Sequence, residues 1–366
     1  MSDLKSFLPR KIFEFLSNKV LGQDNVLRYV SVALYRHINH SRAVNLLLIG
    51  NSGTGKTTIM KSIKALYDAY EELKIFRVMV IMNANMLIGE DEADVQCIRL
   101  FKNIEERVRT LVGKDINEKT LKEYMENATV CLDEIDKISA KISGKVNVSG
   151  IAIQQALLTI MEGETVIYET AIVEDGKTRN VKIPIDTHKL LFICGGAFEE
   201  LYDQVYQQVA DPSKDRSLKS QIVVGKNGVS FESKFALQEH LVFEDLFRYG
   251  MVPQFTSRFN AMVVLNNLSV RNLIKILKNA DDSPYRNSKE YFNTMNVDLH
   301  LKEDAMELIA THAAENTRIG ARALNEVFSK IITTMEFDPL SSDKIIKEGD
   351  RYTLTITKEM AEETLK

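Results

Sequence analysis

Two periodicities alternate along this chain. Short, almost uninterrupted apolar runs occupy residues 45–49 (NLLLI), 76–82, 129–132, 190–194 and 262–265. Runs this short with no polar face are those of strands buried on both sides. Between them, residues 57–70 and 95–112 carry apolar positions at helical spacing. Strands alternating with helices predict an α/β fold, a five-stranded parallel sheet flanked by helices. The first helical segment, with Leu4, Phe7, Leu8 and Phe15, is amphipathic and is expected to face its own core.

From residue 268 onward the pattern becomes mainly helical, through LSVRNLIKILKNA, EDAMELIATHAAENT and ARALNEVFSKIITTM, before a short β run, RYTLTIT. This predicts a large domain over 1–266 and a smaller helical domain over 267–366. Residues 210–234, with DPSKDRSLKSQ and GKNG, are polar and read as a surface insertion in the large domain.

Composition narrows the classes. Hydrophobic residues at 45% exclude a mostly disordered chain. Lys plus Arg number 47 against 51 for Asp plus Glu, a net charge of −4, so overall charge draws the chain to neither nucleic acid nor a membrane. Cys97, Cys131 and Cys194 show no C-x-x-C spacing, which argues against a zinc site or disulfide framework. No apolar stretch reaches the length of a membrane span, and no signal-peptide pattern opens the chain, so a reducing cytoplasm is expected.

The chemistry begins with Gly50-Asn51-Ser52-Gly53-Thr54-Gly55-Lys56-Thr57, between the strand NLLLI and a helix. Glycines let backbone N–H groups turn inward around phosphate oxygens, and a helix N-terminus adds partial positive charge. Lys56 is placed to reach the β and γ phosphates of a nucleoside triphosphate, and the Thr57 hydroxyl to ligate Mg2+. The candidate nucleotide-binding set is Ser52, Gly53, Thr54, Gly55, Lys56, Thr57 and Thr58. About eighty residues on, the apolar run Val130-Cys131-Leu132 ends in Asp133-Glu134. Adjacent side chains at a strand end point to opposite sides, which allows two jobs. Asp133 is expected to hold magnesium through water, and Glu134 to deprotonate the water that attacks the γ phosphate.

These words resemble the AAA+ ATPases, and more narrowly the ClpX-like group of unfoldases, with HslU more distant. Val20-Leu21-Gly22-Gln23 resembles the segment that flanks adenine. Leu132-Asp133-Glu134-Ile135-Asp136-Lys137-Ile138 is nearly the ClpX Walker B stretch. Val148-Ser149-Gly150, Gln154-Gln155-Ala156-Leu157-Leu158, Glu162-Gly163 and the run from Asp186 to Phe198 follow in order. The similarity runs from about residue 14 to the end.

The resemblance implies further roles. Arg258, in Pro253-Gln254-Phe255-Thr256-Ser257-Arg258-Phe259, resembles an arginine finger that reaches a neighbouring subunit's γ phosphate. Arg322, in Gly320-Ala321-Arg322-Ala323-Leu324, resembles the sensor-2 arginine that contacts nucleotide within its own chain. A guanidinium suits both because it is always charged and forks onto phosphate. A finger in trans implies a homo-oligomeric ring, a hexamer, acting on a protein client.

Departures from the family pattern refine this. No cysteine-rich zinc domain is expected before the ATPase region. Where the family's first pore loop reads Gly-Tyr-Val-Gly-Glu-Asp, this chain has Met86-Leu87-Ile88-Gly89-Glu90-Asp91, so Leu87 and Ile88 would supply an apolar grip without a ring. Gly176-Lys177-Thr178-Arg179 is a thin substitute for the basic pore entrance. The Ile-Gly-Phe tripeptide that docks on ClpP is replaced by Ile222-Val223-Val224-Gly225, so a ClpP partnership is not expected. His37 and His40, one helical turn apart, read as a solvated helix face, and Lys137, Lys141 and Lys145 as a solvated basic loop. The leading expectation is an ATP-driven ring that remodels or unfolds a dedicated protein partner without an obligatory peptidase. The rivals are a nucleotide-switched assembly ATPase with little threading and, disfavoured by charge, a nucleic-acid loader.

Overall fold

The computed structural model describes residues 7–87, 98–142, 144–174, 177–211, 220–225, 228–233, 235–316, 319–339, 344–348 and 351–365. The chain divides into two compact units. The first comprises Met1–Leu16, Asn25–Gly50 and Ile59–Val264, and the second Ser17–Asp24, Asn51–Thr58 and Leu265–Lys366. The second unit therefore collects two short upstream segments, including most of the glycine-rich loop, besides the carboxyl-terminal third of the chain.

In the first unit a parallel sheet is built from β1 (Leu46–Ile49), β2 (Met79–Asn83), β3 (Thr129–Asp133), β4 (Leu191–Gly196) and β5 (Ala261–Val264), in the order β5-β1-β4-β3-β2. Every residue of β1 and β4 is buried. That burial explains their unbroken apolar sequence and requires cover on both faces. The helix Ile98–Val112 buries Leu100, Phe101, Ile104 and Val108 in the core that holds Val130, Leu132 and Phe192. The β2 run begins later than its apolar sequence suggests, because Glu71–Arg77 is a 3-10 turn whose Phe76 is buried.

Two hairpins modify the expected outline. Thr165–Glu174 and Lys177–Asp186 pair antiparallel over their whole length, and inward residues Tyr168, Ile172, Val181, Ile183 and Ile185 join the core. The polar insertion contains a second hairpin, Ser220–Gly225 with Gly228–Ser233. Leu87 closes a 3-10 turn, Ala84–Leu87, and is 2% exposed within the core. Its burial differs from what an apolar pore grip would require: an apolar side chain in the cluster that holds Ala84 and Leu100 gains more from burial than from an exposed loop position. Ile88 and the acidic residues after it lie outside the described residues. His37 is also buried, at 3% exposure, with Nε2 bonded to the Asn127 carbonyl at 3.1 Å and its ring edge-on to Phe76, so its helix face is core rather than solvated.

The second unit packs the helices Val270–Asn279, Pro284–Asn293, Glu303–Glu315, Arg322–Phe337 and Lys358–Leu365 with a three-stranded sheet. Its strands are β6 (Val297–Leu301), β7 (Ile345–Glu348) and β8 (Arg351–Ile356), ordered β6-β8-β7. Leu273, Phe292, Leu299, Ile309, Phe328 and Leu354 centre its core. The β6 strand, VDLHL, alternates buried and more exposed positions and lies within the sequence read as helical.

Candidate active site

In the first unit, β2 and β3 run in register with Asn83 opposite Asp133, so three polar side chains meet at the carboxyl edge of the sheet. Glu134 leaves the strand in the left-handed conformation, φ 54° and ψ 38°. A non-glycine residue there costs about 1–2 kcal/mol and is retained where the surroundings hold it. Two bonds do so: the Glu134 N–H donates to Asp133 Oδ1 at 3.0 Å, and Asn83 Nδ2 donates to Glu134 Oε2 at 3.2 Å. Two residues on, buried Asp136 accepts the Ala197 N–H on Oδ1 at 3.1 Å, joining the turn after β3 to the end of β4. Asn83 has no motif signal of its own, because its partner is 51 residues away.

Within the second unit, the segment 51–58 is stabilised by its own polar groups. Thr54 Oγ1 and Lys56 Nζ both donate to the Asn51 carbonyl, at 2.8 and 3.0 Å. Gly53 and Gly55 have φ of +72° and +108°, which only glycine adopts readily. A Cβ on Gly53 would stand 2.2 Å from the Ile319 carbonyl oxygen. The Gly53 carbonyl accepts the Ala321 N–H at 3.0 Å, and Arg322 Nη1 donates to Ser52 Oγ at 2.6 Å. Gln23 Nε2 donates to the carbonyls of Thr54 and Asn266, at 3.0 and 2.8 Å, and its Oε1 accepts the Asn266 N–H at 2.9 Å. Val20 is buried beside Gly55, and Leu21 is half-buried. This arrangement brings Val20, the glycine-rich segment and Arg322 together. Thr57 and Thr58, in the first turn of the helix Lys56–Ala69, are exposed.

Arg258 belongs to the first unit and sits at the opposite, amino edge of the sheet. Asn45, immediately before β1, donates through Nδ2 to the Arg258 carbonyl at 3.3 Å, and the Asn260 N–H donates to the Asn45 carbonyl at 2.8 Å. The guanidinium pairs with Glu162, the residue that ends the helix Val148–Met161. Arg258 lines a pocket of about 550 Å³ with Arg42, Lys189, His188, Asn45 and Asn260, where Glu162 is the one carboxylate. His37 also lines this pocket, and its burial lowers its pKa to about 4 and keeps it neutral. Among the described residues, no group of acidic, histidine and cysteine side chains is arranged to hold a metal by itself. Cys131 and Cys194 are free and buried, and burial pushes both thiols up, so neither is a nucleophile.

A family model described as an AAA domain of the Cdc48 subfamily matches residues 41–262. The ATP-binding subunit ClpX of the ATP-dependent Clp protease from Treponema denticola is 28% identical, with 90% of this chain and 77% of that protein aligned. ClpX of Borrelia duttonii is also 28% identical, with 93% of this chain and 76% of that protein aligned. The chain belongs to the AAA family and, within it, is a ClpX-like AAA+ ATPase.

Proposed function

We propose that this AAA+ ATPase works as a homo-oligomeric ring, a hexamer, in which hydrolysis at each subunit uses an arginine from its neighbour to remodel or unfold a dedicated protein client. The observation that carries this reading is the position of Arg258 relative to Glu134. The two lie at opposite edges of one parallel sheet whose strands have four to six residues. At about 3.3 Å per residue, that separates them by well over 10 Å. A base and a cation so placed cannot serve one γ phosphate within a subunit, but they can across a ring junction.

In this scheme Lys56 and the backbone of Ser52 to Thr58 hold the phosphates of ATP, Val20 and Leu21 flank adenine, and Arg322 contacts nucleotide in its own chain. Thr57 and, through water, Asp133 would hold magnesium. When bound, Mg2+ would offset phosphate charge and orient the γ phosphate. Glu134, aimed by Asn83, takes the proton from the attacking water. Arg258 of the adjoining subunit stabilises the charge that spreads over the transferring group, an effect worth roughly a thousandfold or more in rate.

Mixing two dead variants tests the scheme. Arg258→Ala subunits retain the base and Glu134→Gln subunits retain the finger, so a mixture should hydrolyse ATP while either protein alone does not. A mixture as inactive as its components would sink the ring reading. Independence from ClpP rests on the absent Ile-Gly-Phe tripeptide, and it predicts no ATP-dependent degradation of a tagged folded protein when ClpP is added. The burial of Leu87 favours a second reading, a nucleotide-switched assembly ATPase that threads little polypeptide. Release of a folded, tagged client in an ATP-dependent unfolding assay would exclude it.

A further inference from the structure

Gln154 lies in the middle of the helix Val148–Met161 and has no exposed surface, yet both ends of its amide are used. Its Nε2 donates to the Ile138 carbonyl at 2.7 Å, and its Oε1 accepts the Val252 N–H at 2.7 Å. Ile138 ends the 3-10 turn that starts immediately after Glu134. Val252 caps the short helix Pro253–Thr256, and the Arg258 N–H bonds back to the carbonyl of Phe255 in that helix. One neutral side chain thus spans the segment that carries the base and the segment that carries the finger. The same helix reaches Arg258 again at its end, through Glu162.

The two segments depend on Gln154 unequally. The turn after Glu134 has other holds: Asp136 Oδ1 accepts the Ala197 N–H, and Asn147 Nδ2 donates to the Ser139 carbonyl at 2.9 Å. On the finger side, Ser139 Oγ donates to the Tyr249 carbonyl at 3.0 Å and the Ala140 N–H to the Gly250 carbonyl at 2.8 Å. Those bonds stop short of Val252, the residue from which the arginine-bearing turn departs. An amide suits the position because it offers one donor and one acceptor without charge. An apolar side chain of the same length would leave a buried N–H and a buried carbonyl without partners.

We propose that Gln154 is a positioning residue for Arg258, fixing the backbone that aims the finger at the adjoining subunit and tying that aim to the turn behind Glu134. The proposal rests on the trans-finger reading above.

The test uses the same two-component ring. Gln154→Met is placed either in the finger donor, which carries Glu134→Gln, or in the base donor, which carries Arg258→Ala. In the finger donor it should lower mixed-ring ATPase activity about tenfold or more, as a misaimed catalytic group does. In the base donor the loss should stay below about threefold, and nucleotide affinity should not change in either. Gln154→Asn, which keeps the amide but is one methylene too short to span both carbonyl and N–H, should give the same asymmetry and serves if the methionine variant does not assemble. Equal losses in the two arrangements, or a larger loss in the base donor, would overturn the assignment. Failure of the trans-finger reading is recognised separately, since the mixture with intact Gln154 would then be inactive.

Discussion

Asn83 donates to the Glu134 carboxylate from the next strand of the sheet, at 3.2 Å, and so sets the direction of the side chain proposed as the base, whose backbone is already held left-handed. The bond crosses from the end of β2 to the end of β3, where the register places Asn83 against Asp133. Asn83→Ala should leave a folded protein with unchanged nucleotide affinity and a kcat lowered about tenfold, since a loosened base samples unproductive directions. Steady-state ATPase assays check this. An unchanged kcat would assign Asn83 to strand-end structure alone.

Binding and chemistry should separate at Lys56 and Glu134. Glu134→Gln keeps the shape of the side chain and a group able to accept from Asn83, but it removes the base. It should bind ATP normally and turn over at least about a hundredfold more slowly. Lys56→Ala should lose nucleotide binding itself, as read by a fluorescent nucleotide analogue. Turnover near the wild-type rate in Glu134→Gln would remove Glu134 from the mechanism.

Gly53→Ala tests the glycine-rich segment without touching a charge. The added methyl would enter a left-handed position, at about 1–2 kcal/mol, and meet the Ile319 carbonyl oxygen at 2.2 Å. Backbone there cannot yield as a side-chain tip would. The variant should bind nucleotide at least about tenfold more weakly and melt at a lower temperature, whereas Gly113→Ala, left-handed but facing open space, should retain nucleotide affinity. Equal nucleotide affinity in the two variants would contradict the tight packing at Gly53.

Acid should weaken the first unit through His37. Its folded pKa of about 4 lies below the usual 6.5, so between those values the unfolded chain binds a proton that the folded protein refuses. Stability is then full above pH 6.5 and declines as pH falls toward 4. At roughly 1.4 kcal/mol per pH unit the loss reaches about 3 kcal/mol. Thermal melts across that range should show the slope, and His37→Gln should flatten it. An identical slope in the variant would place the acid sensitivity elsewhere.

Replacing Leu87 with Asp should unfold the first unit rather than merely abolish a grip. Burying an unpaired carboxylate in the cluster of Ala84, Leu100 and Leu132 costs several kcal/mol. Circular dichroism of the purified variant decides this. A native spectrum and melting temperature would mean that Leu87 turns outward in solution.

The sequence by itself determined whatever depends on neighbours along the chain. The all-apolar runs that became β1, β3 and β4, the glycine-rich loop before the helix at Lys56, and Asp133-Glu134 at a strand end are contiguous words whose physics is local. The hairpin 165–186 and the strand β6 in VDLHL lay outside the expected elements, although alternating apolar positions such as Val181, Ile183 and Ile185 carry a strand signal. Tertiary structure alone decided which of two reasonable environments each ambiguous side chain entered. Leu87 and His37 went to the core because apolar or neutral partners were within reach after folding. Gln154, Asn83 and Glu162 acquired hydrogen-bond partners 98, 51 and 96 residues away. A hydrogen bond across such a separation leaves no periodicity in the chain, because it exists only once the sheet has set Arg258 at one edge and Glu134 at the other.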